Sequence, residues 1–81
     1  MAGAITLIYE YNKHDTQMRL AEIKRSAVAE ILSVQSFYIS DDKIFEIIAV
    51  KGTSHKLTEL SDAFIGIKGI EHGKLIMSKV D

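Results

Sequence analysis

The stretch "SVQSFYISDDKIFEIIAV", residues 33 to 50, decides the fold. Its two apolar halves are separated by Ser40-Asp41-Asp42-Lys43, short polar side chains that hydrogen-bond locally in turns. Two strands folded back as a hairpin is the expected result, the first from roughly Leu32 to Ile39. The second, "IFEIIAVKG", carries Ile44, Ile48 and Val50 on one face and Phe45, Ile47 and Ala49 on the other, interrupted only by Glu46. A sheet with one wet face alternates more cleanly, so both faces of this strand are expected to meet apolar material. One face can meet helices; the other needs a partner.

Outward from the hairpin, each flank adds a strand and a helix. "AITLIYEY", residues 4 to 11, repeats with a period of two, with Ile5, Leu7, Tyr9 and Tyr11 on one side. "NKHDTQMRLAEIKRSAVAEIL" changes period: Leu20, Ile23, Ala27 and Ile31 fall three, four and four apart, with Met18, Ala21 and Val28 beside them. This reads as a surface helix with Asn12 or Asp15 as its cap. After the hairpin, "TSHKLTELSDAFIGIKG" spaces Leu57, Leu60, Phe64 and Ile67 by three, four and three, with Thr53 or Ser54 as cap and Gly66 and Gly69 to weaken and end it. "KLIMSKV" closes the chain as a strand. The order β-α-β-β-α-β predicts an α+β, ferredoxin-like domain: a four-stranded antiparallel sheet with two helices on one face.

The 81 residues, 47% of them apolar, are read as one domain, 1–81. A chain of this size buries only ~60–65% of the surface its unfolded form exposes, which favours completing the burial by association with copies of itself. Ten Lys and Arg interspersed with eleven acids, a net charge of −1, argue against a nucleic-acid surface. There is no cysteine, hence no disulfide framework and no thiolate nucleophile. The apolar start of the chain lacks a basic leader and is broken by Glu10, and no run reaches the ~18 apolar residues of a membrane span. A cytoplasmic protein with no membrane contact is expected.

"TLIYEYNKHDTQMRLAEIKR" and "EIIAVKGTSHKLTELSDAFIGIKGIEHGKLIMS" resemble the C-terminal regulatory domain of the nickel-responsive ribbon-helix-helix repressors, from about Thr6 to Ser78. "RLAEIK" and "KGIEHGKL" carry the likeness most specifically. The resemblance implies an ACT-like version of the fold, assembly as a tetramer, and a square-planar nickel site between protomers, the tetragonal nitrogen-rich geometry nickel prefers, completed by a thiolate. In that family the ligands are a histidine late in the first helix, a His-x-His on the second strand and a cysteine at the head of the third. The matching positions here hold Arg25, Ser36, Tyr38 and Ile44. A guanidinium has no lone pair to give, isoleucine has no donor atom, and the two hydroxyls are weak ligands at neutral pH. The nickel site is therefore not expected to carry over, and no cofactor is expected. Only Met1–Ala4 precede Ile5, so no DNA-binding module is expected of this chain either.

The remaining candidates are weaker. His14, His55 and His72 form no paired metal spacing on one element and read as surface or loop residues. Asp41-Asp42 reads as a solvated turn without calcium-loop spacing. No serine lies in a Gly-x-Ser-x-Gly elbow, and no glycine-rich phosphate loop is present, so no enzymatic activity is expected. Arg25, Ser36, Tyr38 and Ile44 either fill the vacated pocket, with Arg25 paired to an acid such as Glu46 of a neighbouring protomer, or accept a small anionic or polar ligand there. The expected function is that of a regulatory and oligomerisation domain, a dimer or tetramer held through its sheet face, acting on a protein partner. Two alternatives stand beside it: a metal-responsive regulator with replacement ligands, and an accessory subunit of a full-length repressor.

Overall fold

The structure, a computed structural model, describes residues 1–80. Its elements are β1 (Ala2–Glu10), α1 (His14–Ser26), β2 (Ile31–Tyr38), β3 (Lys43–Lys51), α2 (Ser54–Ile65) and β4 (Ile70–Ser78). All strands pair antiparallel in the order β2-β3-β1-β4, which places the two halves of the hairpin at one side of the sheet and leaves β2 and β4 as its edges. The expected ferredoxin-like order is the one observed.

Register explains which residues become core. Ile5 of β1 lies opposite Ile48 of β3 and Leu75 of β4, and Leu7 opposite Glu46 and Gly73. Side chains directly opposite share a face. The face holding Ile5, Leu7, Tyr9, Ile48 and Val50 packs beneath Leu20 and Ile23 of α1 and Leu57, Leu60 and Phe64 of α2. The other face carries Ala4, Thr6, Ile8, Phe45, Ile47 and Ala49, all half-buried, and no helix covers it. The doubly apolar pattern of β3 thus has one face under the helices and one without a cover.

Several boundaries differ from the sequence reading. The first helix ends at Ser26, where the chain turns through Ala27–Glu30, and Ile31 belongs to β2. Its spacing of four from Ala27 continued the helical pattern by accident, because the strand also directs Ile31 toward the core. Met18 and Val28 face solvent. Tyr11 lies beyond β1 and is exposed. Lys13 occupies the N-cap of α1 with no side-chain cap, so neither Asn12 nor Asp15 caps that helix, although Asp15 in the first turn suits the positive end of the helix dipole. Thr53 caps α2 as expected, its hydroxyl oxygen accepting from the Lys56 amide at 3.1 Å.

Gly66 sits at the end of α2 in right-handed conformation, and the left-handed step falls at Gly69, with φ of +106°. There the backbone also approaches α1 closely. The Thr16 hydroxyl donates to the Lys68 carbonyl at 2.9 Å, and a Cβ at Gly69 would collide with that hydroxyl. The entry into β4 is thereby tied to the first turn of α1.

Candidate functional site

β2 and β3 assemble the candidate residues. Ser36 lies opposite Glu46 and Tyr38 opposite Ile44, so these four share the helix-bearing side of the hairpin. α1 approaches the same place through its last turn, which carries Lys24 and Arg25.

At the centre is Glu46, only 2% exposed. A buried carboxylate is tolerated only when paired and hydrogen-bonded, and Glu46 has three partners from three elements. Its Oε1 accepts from the Tyr9 hydroxyl at 3.0 Å, the Ser36 hydroxyl at 2.9 Å and the Lys24 ammonium at 3.2 Å. Lys24 also lies 3.0 Å from Oε2, but off the hydrogen-bonding direction, so Oε2 gains the charge and no hydrogen bond. Burial, and then the neighbouring Glu46 charge, push the Tyr9 hydroxyl far above the ordinary tyrosine range, which keeps it a proton donor. The lone acid in an otherwise apolar strand was the sequence signal for this centre.

The four sequence candidates fare differently. Ile44 is buried in the core, and Ser36 is engaged by Glu46. Tyr38 projects outward, 72% exposed, its ring meeting that of Tyr11 edge to face at 5.4 Å. Arg25 is exposed and makes no ion pair among the described residues. Within the chain the cation on Glu46 is Lys24, not Arg25.

Nickel does not fit these residues: Ile44 offers no donor atom, the Ser36 oxygen is tied to a carboxylate, and Arg25 brings a fixed positive charge. His14 and His55 lie in the first turns of the two helices, and His72 lies opposite Ile8 on the uncovered sheet face, so the three imidazoles occupy three separate places. Among the described residues no group of three His, Asp or Glu is placed to hold a metal ion. At the rim of the sheet Lys43 pairs with Glu71, a hydrogen bond that raises the lysine above its ordinary range. Among the described residues no helix is long and apolar enough to cross a membrane.

The family described as the NikR C-terminal nickel-binding domain matches residues 2–78. A nickel-responsive regulator of Syntrophus aciditrophicus is 38% identical over 80 residues, covering 99% of this chain and 58% of that protein. One from Thermococcus onnurineus is 32% identical over 78 residues, covering 96% of this chain and 56% of that protein. The chain therefore spans little more than half the length of these curated relatives. Among solved structures, an uncharacterised protein of Thermotoga maritima superposes with a TM-score of 0.82 at 14% identity, covering 93% of this chain and 92% of its own. The ACT domain of the GTP pyrophosphokinase of Chlorobium tepidum superposes at 0.73, also at 14% identity, over 94% and 97%. These two likenesses are of fold alone, and that fold is ACT-like.

Proposed function

The chain belongs to the family of NikR C-terminal nickel-binding domains, and from that premise we propose that it is a regulatory domain which has exchanged the nickel donor set for a different ligand chemistry. It assembles with copies of itself and accepts a small anionic or polar ligand beside Arg25, Ser36 and Tyr38. The carrying observation is the state of those positions: the Arg25 guanidinium makes no ion pair among the described residues and Tyr38 is exposed, while Ile44 is sealed in the core. Arg and hydroxyl groups supply donors for a carboxylate or oxyanion. The charge balance of the whole chain supports action on a protein partner rather than directly on nucleic acid.

Native mass spectrometry with and without added nickel tests this reading. An assembly of several copies that takes up no stoichiometric nickel is expected. One nickel per protomer would overturn it and favour the second reading, metal binding through residues gathered from several copies, which draws on the family's nickel-binding description.

A further inference from the structure

Glu46 Oε2 is a buried side-chain oxygen with no hydrogen-bond partner among the described residues, while its mate, Oε1, takes all three donors of the cluster. A buried carboxylate demands a cation as well as hydrogen bonds. The Lys24 ammonium supplies it, and no other lysine or arginine pairs with Glu46 among the described residues. The parts come from different layers. Three neighbouring strands hold the carboxylate and its two hydroxyl donors, Tyr9 on β1, Glu46 on β3 and Ser36 on β2. The charge alone arrives from α1, on a side chain that is 28% exposed, so the ammonium stands at the mouth of the cluster.

We propose that Glu46, with the hydroxyls of Tyr9 and Ser36 behind it, forms a binding site within the single chain for one primary ammonium group, and that Lys24 is its built-in occupant. The chemistry names the class. The site offers a full negative charge and an oxygen still lacking a donor, so the ligand must be a cation that carries N–H groups. An ammonium is a compact point charge with three rotatable donors, whereas a guanidinium is a rigid planar fork. The tether accounts for the oxygen left over: coming from α1, the Lys24 nitrogen lies 3.2 Å from Oε1 and 3.0 Å from Oε2 but hydrogen-bonds only the first. An ammonium free of the helix can face both. Because its occupant belongs to the chain, the site sees that ammonium at a high effective concentration and stays closed to free amines. The clamp between α1 and the sheet therefore needs no ion from solution. The inference stands apart from self-assembly and from the anionic ligand proposed above.

The test is rescue from outside. Lys24→Ala removes the side chain from Cγ to Nζ, the equivalent of propylammonium, which is the probe. Thermal unfolding by circular dichroism is followed for the wild type, Lys24→Ala, and the double variant Lys24→Ala with Glu46→Gln. Each is titrated with propylammonium chloride and, at matched ionic strength, with tetramethylammonium chloride, a cation with no N–H to donate. Propylammonium well above its Kd is expected to raise the Tm of Lys24→Ala by about 5–10 °C. Tetramethylammonium is expected to leave that Tm where it was, and neither salt to move the wild type or the double variant. If Lys24→Ala is unfolded without addition, the same titration is read as recovery of the helical signal. A Lys24→Ala protein that ignores propylammonium overturns the site. So does a shift of equal size in all three proteins, or one that tetramethylammonium reproduces.

Discussion

The Tyr9 hydroxyl donates to Glu46 Oε1 at 3.0 Å between neighbouring central strands, and both side chains are 2% exposed. Neither group can turn to water for a replacement partner. Tyr9→Phe removes the donor and leaves the carboxylate with Ser36 and Lys24, a loss of about 1–3 kcal/mol of stability. Urea unfolding should show a lower midpoint with an unchanged slope; an unchanged midpoint would mean that the hydroxyl contributes nothing.

Removing the cation is expected to cost more. Lys24→Met leaves Glu46 buried with two neutral donors, and breaking a buried pair from one side is destabilising by about 3–5 kcal/mol, an upper range here because the Lys24 side chain is 28% exposed. The double variant Lys24→Met with Glu46→Leu should recover much of the loss. Additive effects in that cycle would show that the two charges are not coupled.

The raised Tyr9 pKa fixes a pH dependence. A proton held more tightly in the folded state contributes stability that is complete below the unfolded tyrosine value, about 10, and is lost as pH climbs beyond it. Stability should therefore decline above about pH 10, and Tyr9→Phe should flatten part of that decline. Parallel curves for the two proteins would contradict the assignment.

If the family's nickel site was lost by substitution at four positions, restoring the donors should return it. The variant Arg25→His, Ser36→His, Tyr38→His, Ile44→Cys is expected to bind nickel and develop a thiolate-to-nickel absorption band that the wild type lacks. A folded quadruple variant with no such band would show that this scaffold no longer holds the geometry.

At Gly69 the positive φ and the contact with Thr16 act together. Gly69→Ala is expected to lose about 1–3 kcal/mol, measured by thermal unfolding, because the backbone is strained and the added methyl meets the Thr16 hydroxyl. Gly66→Ala, at a right-handed position, meets no such backbone strain, and its added methyl would press only on the Asp62 carbonyl at 3.1 Å, so it should lose less than Gly69→Ala.

The fold was legible because each element carries its own period. β1 repeats with a period of two, α1 and α2 space their core residues by three and four, and Ser40–Lys43 punctuate the hairpin whose second strand, β3, is an apolar run on both faces. What misled were residues whose local pattern serves two geometries: Ile31 fits both the end of a helix and the start of a strand. The cap of α1 was misread because Asn12 and Asp15 have capping side chains, yet the chain places Lys13 at the cap position. The candidate site was legible only in part. Arg25, Ser36, Tyr38 and Ile44 were chosen by their match to the family's ligand positions, but of the four only Ser36 touches the buried carboxylate, whose partners come from 37, 22 and 10 residues away in sequence. No local period announces such a set.

The Glu46 cluster also has a meaning for folding accuracy. Strands as apolar on both faces as β3 tolerate sliding, since either face can go inward. A slip of one residue between β2 and β3, with β3 still held by β1, would bring Gln35 or Phe37 level with Glu46 in place of Ser36 and leave the carboxylate without its β2 donor. One charged side chain thus distinguishes the right hairpin alignment from its neighbours, and the carboxylate serves as a proofreading mark for the sheet on which the rest of the molecule is built.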